Sequence, residues 1–385
     1  MDHRSVGNLK CFAVVMPGLE AIAAEELRQL SAHEVAPVEG GVAFTTTMDG
    51  LFRINLRSRT VTRVLLRLAQ FSALSFPELY NKCKKTFWCN YLHGDFEVRA
   101  SCHRSKLMHS GRAEQAVRDA IAAVLPAGGA PTTDGAVQQI LLRIDNNHCT
   151  LSLDTSGERL DRRGYRLHSG RAPLRETMAA AMLQWMDWRS DEPLYTPMCG
   201  SGTFAIEAVW MAQKRAPGLD RVFPFLHWPA LKTKRWQRAL AKAQAMVVAQ
   251  PACAAMVASD RDAGILAQAK ANAAQAQVAS MIRFVQEDVR QMCPPAMDGA
   301  VDAADSQAGL LICNPPYGDR IGGDAAALYA VIGQQFRDHF TGWRMAILAP
   351  SRRCEAALAL PVTRRLKIKH GGKWVQLLHV ETGAH

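Results

Sequence analysis

No two of the ten cysteines in this 385-residue chain stand as Cys-x-x-Cys, and ten thiols over such a length make no dense disulfide framework. A secreted, disulfide-stapled scaffold is excluded, and thiols acting as small buried hydrophobes in a reducing cytoplasm are the expectation. The twelve histidines offer no His-x-x-x-His pair, so no metal site is expected. Long apolar runs are missing as well. The stretches poorest in charge, around 120–142 and 243–259, are interrupted by Pro, Gly or Gln, and the apolar run at 11–16 is too short for a signal sequence. Neither a membrane span nor an export signal is expected. Acidic residues are the scarcer charge, 35 against 46 basic, which leaves a formal +11 and points toward a polyanionic partner. The rest of the composition, 48% hydrophobic and 21% charged, suits a protein that buries large cores and excludes disorder or coiled coil as a description of the whole. The length predicts two or three domains.

The front of the chain reads as a mixture of strands and helices. Residues 11–16 are a candidate buried strand and 18–30 an alanine-rich helix with acids early. Residues 35–47, broken by Gly40-Gly41, predict two short strands around a turn, and 95–102 alternates as a strand does. Residues 51–67 carry apolar positions near helical spacing, with Arg53, Arg57, Arg59, Arg63 and Arg67 between them, which predicts a solvated basic helix face. Residues 140–153 predict a hairpin around the turn-forming pair Asn146-Asn147. A turn-rich basic stretch from Asp154 to Arg166 reads as a linker. Beyond about 170, helix and strand patterns alternate (178–188, 193–197, 204–211, 256–259, 263–277, 310–313, 345–349), which predicts a parallel doubly wound sheet. The stretch 364–380 around Gly371-Gly372 predicts a closing antiparallel hairpin.

Chemistry is concentrated in the second half. Pro197-Met-Cys199-Gly200-Ser201-Gly202-Thr203 joins an apolar strand to a helix, where two glycines let the backbone turn tightly and approach a ligand. No lysine follows the glycines, so this is not a Walker loop. Asp260 ends the next strand, where a carboxylate either accepts from two ribose hydroxyls or caps a helix; Asp262 reads as a first-turn acid. The spacing from the glycine loop demands an insertion, visible at 212–250 as a basic segment with Trp228 and Trp236. Glu287 and Asp288 end another strand, where Asp288 either meets an adenine amino group or is a solvated turn acid. Sharpest of all is a strand running straight into Asn314-Pro315-Pro316-Tyr317. The prolines remove N–H donors and fix the backbone, leaving the Asn amide and the Pro315 carbonyl to accept both hydrogens of an exocyclic nucleobase amine, with Tyr317 stacking on the flipped base. Cys199 and Cys313 read as packing residues, since direct transfer needs no covalent intermediate.

These motifs resemble the class I S-adenosylmethionine-dependent methyltransferases that act on exocyclic amines. More narrowly, Asp154-Thr-Ser-Gly-Glu-Arg-Leu through Arg-Gly-Tyr-Arg166 and Ala172-Pro-Leu-Arg-Glu176-Thr177 resemble the THUMP-domain RNA methyltransferases. Within these the similarity is to the bacterial 23S rRNA (guanine-N2) methyltransferases of the K/L type, often labelled N6-adenine-specific DNA methylases. The resemblance implies an α/β protein: a ferredoxin-like segment (1–43), a THUMP RNA-binding domain (44–155), a linker (156–170) and a Rossmann-like methyltransferase domain (171–385). It implies S-adenosylmethionine as cofactor, with Pro197, Cys199, Gly200, Ser201, Gly202 and Thr203 around its methionine and ribose, Asp260 on the ribose hydroxyls, Asp288 on the adenine, and Glu176 and Thr177 covering it. RNA, as 23S rRNA or an assembly intermediate, is the implied partner. The family usually places Asp where this chain has Thr196, and Glu207 or Glu176 is a candidate to supply the missing negative charge.

Three functions follow from this reading: a guanine-N2 methyltransferase of large-subunit ribosomal RNA, an adenine-N6 methyltransferase of DNA or RNA, or an RNA-binding protein without catalysis. For RNA contact, Lys82, Lys84 and Lys85 beside Phe87, Trp88 and Tyr91 combine phosphate-binding charge with stacking surfaces. The basic, tryptophan-containing insertion at 212–238 is a further candidate.

Overall fold

The computed structural model describes residues 8–125, 137–167, 174–295, 308–316 and 324–381. It divides into two compact units, one made of residues 1–15, 24–160 and 218–243, the other of 16–23, 161–217 and 244–385. In chain order the first half comprises β1 (Leu9–Val14), α1 (Glu20–Gln29), β2 (His33–Val38), β3 (Gly41–Thr46), α2 (Met48–Arg57), β4 (Arg63–Ser72), α3 (Phe76–Cys83), β5 (Phe96–His103), α4 (Ser110–Ala122), β6 (Gln138–Asp145) and β7 (His148–Asp154).

Its seven strands form one mixed sheet in the order β2-β3-β1-β4-β7-β6-β5, in which β5 and β6 are parallel and the other neighbours antiparallel. Asn146 and Asn147, both at positive φ (50° and 62°), make the two-residue turn between β6 and β7, a conformation asparagine tolerates. Thr47 and Ser75 cap α2 and α3 by accepting from the amides of Gly50 and Glu78. The predicted helix over 51–67 is only half a helix. After Arg57 the chain turns, and from Arg63 it pairs as β4 against β1. The five arginines therefore share no helix face: Arg67 lies over the Phe12 ring at 4.8 Å and Arg63 pairs with the buried Asp154.

Residues 218–243 of the insertion belong to this same unit. Phe225 and Trp236 pack on Phe52 and Phe223 packs on both of them, with ring centroids 5.1–5.6 Å apart, and Trp228 donates from Nε1 to Gln138 Oε1 at 2.7 Å. Its tryptophans are core, not a stacking surface for RNA. Aromatic burial of this size is the main energy the segment contributes.

The second half continues with α5 (Glu176–Trp185), β8 (Leu194–Thr196), α6 (Thr203–Ala212), α7 (Thr233–Ala245), β9 (Met256–Asp260), α8 (Ala263–Gln275), β10 (Arg283–Gln286), β11 (Leu310–Cys313), α9 (Ala325–His339), β12 (Arg344–Ala349), α10 (Arg352–Leu358), β13 (Val362–His370) and β14 (Lys373–Glu381). The sheet order is β10-β9-β8-β11-β12-β14-β13, with the first five strands parallel and β14 and β13 closing it antiparallel. The expected doubly wound sheet and terminal hairpin are both present. Continuous apolar strands such as Leu310–Cys313, buried at every position, suit a sheet covered on both faces. Tyr195, Leu311, Phe336, Phe340, Trp343, Ile347 and Leu378 form its core. Among the described residues no helix is long and apolar enough to cross a membrane.

Candidate active site

In the order β10-β9-β8-β11-β12 the chain reverses direction of winding between β8 and β11, and ligands of such sheets bind at the carboxyl ends of the strands there. Each motif read from the sequence leaves one of these strand ends: the glycine loop follows β8, Asp260 ends β9, Glu287-Asp288 follow β10 and Asn314 follows β11. Parallel pairing of the five strands is what brings residues more than a hundred positions apart to one edge.

The glycine loop is held by backbone bonds. Cys199 N–H donates to the Ser259 carbonyl and Gly202 N–H to the Cys199 carbonyl, both at 2.9 Å. Gly200 and Gly202 sit at φ 56° and 77°, and Met198 shares this left-handed region at 50°. A Cβ on Gly202 would come 3.3 Å from Ala269 Cβ, so this glycine lets α6 approach α8. A Cβ on Gly200 would meet nothing within 4 Å, so the loop there borders open space. Asp260 Oδ2 accepts from Gly200 N–H at 3.2 Å and Oδ1 from Asp262 N–H at 3.1 Å. Capping of α8 falls to Asp262, which accepts from Gly264 and Ile265. Each Asp260 oxygen therefore keeps lone-pair capacity for a hydroxyl donor. Burial first, and the Asp260 charge second, push the Cys199 thiol far above its ordinary range, while burial does the same to Cys313. Neither offers a thiolate at neutral pH.

Behind the loop lies a charge network that the sequence did not disclose. Arg166 donates to Glu176 Oε1 (2.9 Å), Ser201 Oγ (2.9 Å), the Leu174 carbonyl (2.7 Å) and Thr203 Oγ1 (3.0 Å). One guanidinium thus ties the start of α5 to the glycine loop. Next to it Arg163 Nε pairs with Glu207 at 3.4 Å, and Tyr165 donates to the same carboxylate at 3.1 Å, all three buried. The segment read as a linker is packed here, not solvated. Burial opposes the Arg163 charge, but Glu207, Tyr165 and Glu176 carry its pKa above the ordinary value. Glu176 moves up, because burial outweighs Arg166. Both glutamates considered as stand-ins for the acid absent at Thr196 are thus engaged by arginines. Thr196 itself is buried and donates to the Val257 carbonyl at 3.2 Å, a neutral link between β8 and β9. The only sequence signal for Arg166 was its place in the motif Arg-Gly-Tyr-Arg.

Beyond β10, Glu287 N–H donates to the Asp260 carbonyl at 3.1 Å and its side chain accepts from Tyr195. Asp288 is half-buried and accepts from Arg290 N–H at 3.0 Å, which makes it a turn acid with remaining acceptor capacity. After β11, Asn314 Oδ1 is buried with no hydrogen-bond partner among the described residues, and Pro315 beside it is buried. An orphaned acceptor is costly unless something occupies it. Tyr317 and Ala172-Pro173 lie outside the described residues. Thr177 is buried at the start of α5, within 4.0 Å of Met16 Sδ. Among the described residues no group of three His, Cys, Asp or Glu side chains could hold a metal ion.

The lysine-aromatic patch is altered by the fold. Trp88 is 1% exposed, with Nε1 donating to the Cys83 carbonyl, so it presents no face for a base to stack on. Lys82 is tied to Glu78 at 2.6 Å and to the Ser72 carbonyl. Lys84 lies over the Tyr80 ring, and Lys85 and Phe87 are exposed.

Three family profiles match the chain: "RMKL-like, methyltransferase domain" over 163–376, "RlmL ferredoxin-like domain" over 10–65 and "THUMP domain" over 73–154. A Synechocystis protein named "Putative RNA methyltransferase slr0064" is 36% identical over 381 residues, covering 96% of each chain. "Ribosomal RNA large subunit methyltransferase K/L" of Syntrophotalea carbinolica is 34% identical over 97% of this chain, which spans about half (53%) of that longer relative. Among solved structures, "SMU.472, a putative methyltransferase complexed with SAH" superposes with a TM-score of 0.88 at 26% identity, covering 98% of this chain and 99% of the other. SAH is S-adenosylhomocysteine, the demethylated product of S-adenosylmethionine.

Proposed function

This chain belongs to the family of the RMKL-like methyltransferase domain and is an S-adenosylmethionine-dependent methyltransferase, and from that premise we propose that its acceptor is guanine N2 in large-subunit ribosomal RNA. The observation that carries the reading is the buried, unpartnered Asn314 Oδ1 at the switch point of the sheet. Support for RNA comes from the THUMP match, the net positive charge and the names of the two relatives.

When bound, S-adenosylmethionine supplies a methyl group on a positively charged sulfur. The chain fits such a group: the loop borders open space at Gly200, Ser201 beside it is half-buried, Gly202 and Thr203 anchor it to the start of α6, and Pro197 and Cys199 lead into it. Asp260 retains acceptor capacity for ribose hydroxyls, Asp288 for an adenine amine, and Glu176 backs the loop through Arg166, with Thr177 buried next to it in α5. Asn314 Oδ1 and the Pro315 carbonyl accept the two hydrogens of the nucleobase amine, and the prolines offer no N–H that would compete for Oδ1. Withdrawing those hydrogens from the base plane favours a tetrahedral nitrogen whose lone pair points at the methyl carbon. Tyr317 stacks on the base once it has left its helix. Positioning and the exclusion of water supply the rate, because no covalent enzyme intermediate is needed.

The test is transfer of labelled methyl groups to unmodified ribosomal RNA and to duplex DNA, followed by digestion to nucleosides. We expect N2-methylguanosine in RNA, and none from Asn314→Ala, which should still bind S-adenosylhomocysteine. N6-methyladenine in either nucleic acid would move the acceptor to adenine. Absence of transfer together with absence of cofactor binding would make the chain a binding protein and Thr196 the reason.

A further inference from the structure

The closing hairpin reaches past the edge of the sheet that carries the site. The last pair between β12 and β14 is Ala349 with Gln376, yet β14 begins at Lys373, so the hairpin overshoots β12 by three residues, about 10 Å. It overshoots at the carboxyl end, where Asn314 leaves β11. Two strand spacings, about 10 Å, separate β11 from β14.

The register sets which side chains share a face there. Lys369 pairs with Trp374, Lys367 with Gln376 and Arg365 with Leu378, so Arg365, Lys367, Lys369 and Trp374 lie on one face. Trp374 is 49% exposed, and Lys367 Nζ lies 5.0 Å from its ring centroid. Arg365 pairs with Glu355 of α10, which places that helix on the same face; Arg352, one turn nearer the carboxyl edge, is exposed. Residues 366–376 contain no acid, and Lys369, Lys373 and Arg352 have no ion pair among the described residues. At the tip, Cβ atoms on Gly371 and Gly372 would meet nothing within 4 Å.

Lysines alone on an edge strand keep sheets from pairing with one another. A half-exposed tryptophan among them works against that purpose, because it adds apolar surface to the same edge. Charge together with a free aromatic face is instead what a single-stranded nucleic acid needs: phosphate neutralisation and a base platform.

We propose that the hairpin tip, through Trp374, Lys367 and Lys369 with Arg352 beside them, grips the RNA strand flanking the base held at Asn314. This rests on the reading of the chain as an RNA methyltransferase and adds to it a second nucleic-acid surface, carried by the catalytic unit itself.

The test uses the full-length protein, a fluorescein-labelled oligouridylate for binding and unmodified ribosomal RNA for methyl transfer. Trp374→Ala should weaken oligouridylate binding roughly 5- to 100-fold, and Trp374→Phe should restore most of it. Lys367→Gln with Lys369→Gln should lower the slope of log K against log salt by about 1.4. In both, KM for RNA should rise while kcat and S-adenosylhomocysteine affinity stay at wild-type values. Wild-type salt slope, binding and KM in these variants, beside a wild-type enzyme that methylates RNA, would overturn the hairpin surface and leave the function standing. A wild-type protein that binds cofactor but methylates no RNA would overturn the function first, and the hairpin proposal with it.

Discussion

Arg166→Met removes four hydrogen bonds from one buried guanidinium and leaves Glu176 without its cation. The two side chains are 12% and 8% exposed, so water repairs little of the loss. Breaking a buried ion pair from one side costs about 3–5 kcal/mol, a large share of the roughly 5–15 kcal/mol that holds a domain together. Chemical denaturation should therefore show a loss of about 3 kcal/mol or more. Burial already raises the Glu176 pKa, and loss of Arg166 raises it further. A carboxyl whose folded pKa lies above its unfolded value stabilises at low pH and ceases to as pH rises, so the variant's deficit should shrink toward pH 4.5. The double variant Arg166→Met/Glu176→Gln separates charge from positioning. It should recover much of the stability, because no buried charge is left unpaired. It should not recover affinity for S-adenosylhomocysteine, measured by calorimetry, because Ser201 and Thr203 still lack the donor that anchors the loop. A single variant within about 1 kcal/mol of wild type with normal affinity would refute the argument, as would a double variant that binds normally.

The two loop glycines should respond differently to alanine. At Gly202, with φ at 77° and Ala269 Cβ 3.3 Å away, the substitution should cost about 1–2 kcal/mol in denaturation. At Gly200, with open space around the new methyl, cofactor affinity should fall more than stability does. Trp228→Phe should destabilise the first unit by about 1–3 kcal/mol, because Gln138 Oε1 loses its buried donor. Burial, which outweighs the pull of Glu381 and is joined by Arg344 and Arg364, holds the His379 pKa below 6.5. The unfolded chain then takes up the proton first, so stability should fall as pH drops below 6.5, and His379→Gln should flatten that part of the stability–pH curve.

The sequence by itself determined the strand-ending motifs and the alternation that assembles them. Glycines between a strand and a helix, an acid after the next strand, and Asn-Pro-Pro-Tyr are local signals, each written in consecutive residues. Local periodicity also placed the β6–β7 hairpin, because Asn146-Asn147 is a turn by its own backbone preference. The same reasoning failed over 51–67, where 3.6-residue spacing continued by chance into a strand whose identity depends on pairing with β1. It failed at Trp88, Trp228 and Trp236, since an aromatic beside lysines looks alike whether its partner is a base or a core. Only the tertiary structure decided what Arg166 and Glu207 do. Their partners lie 8 to 44 positions away, and a buried charge is recognisable only by the groups that surround it. The tertiary structure alone also set Trp374 beyond the edge of the sheet, because overshoot is a property of register between strands and not of either strand's sequence.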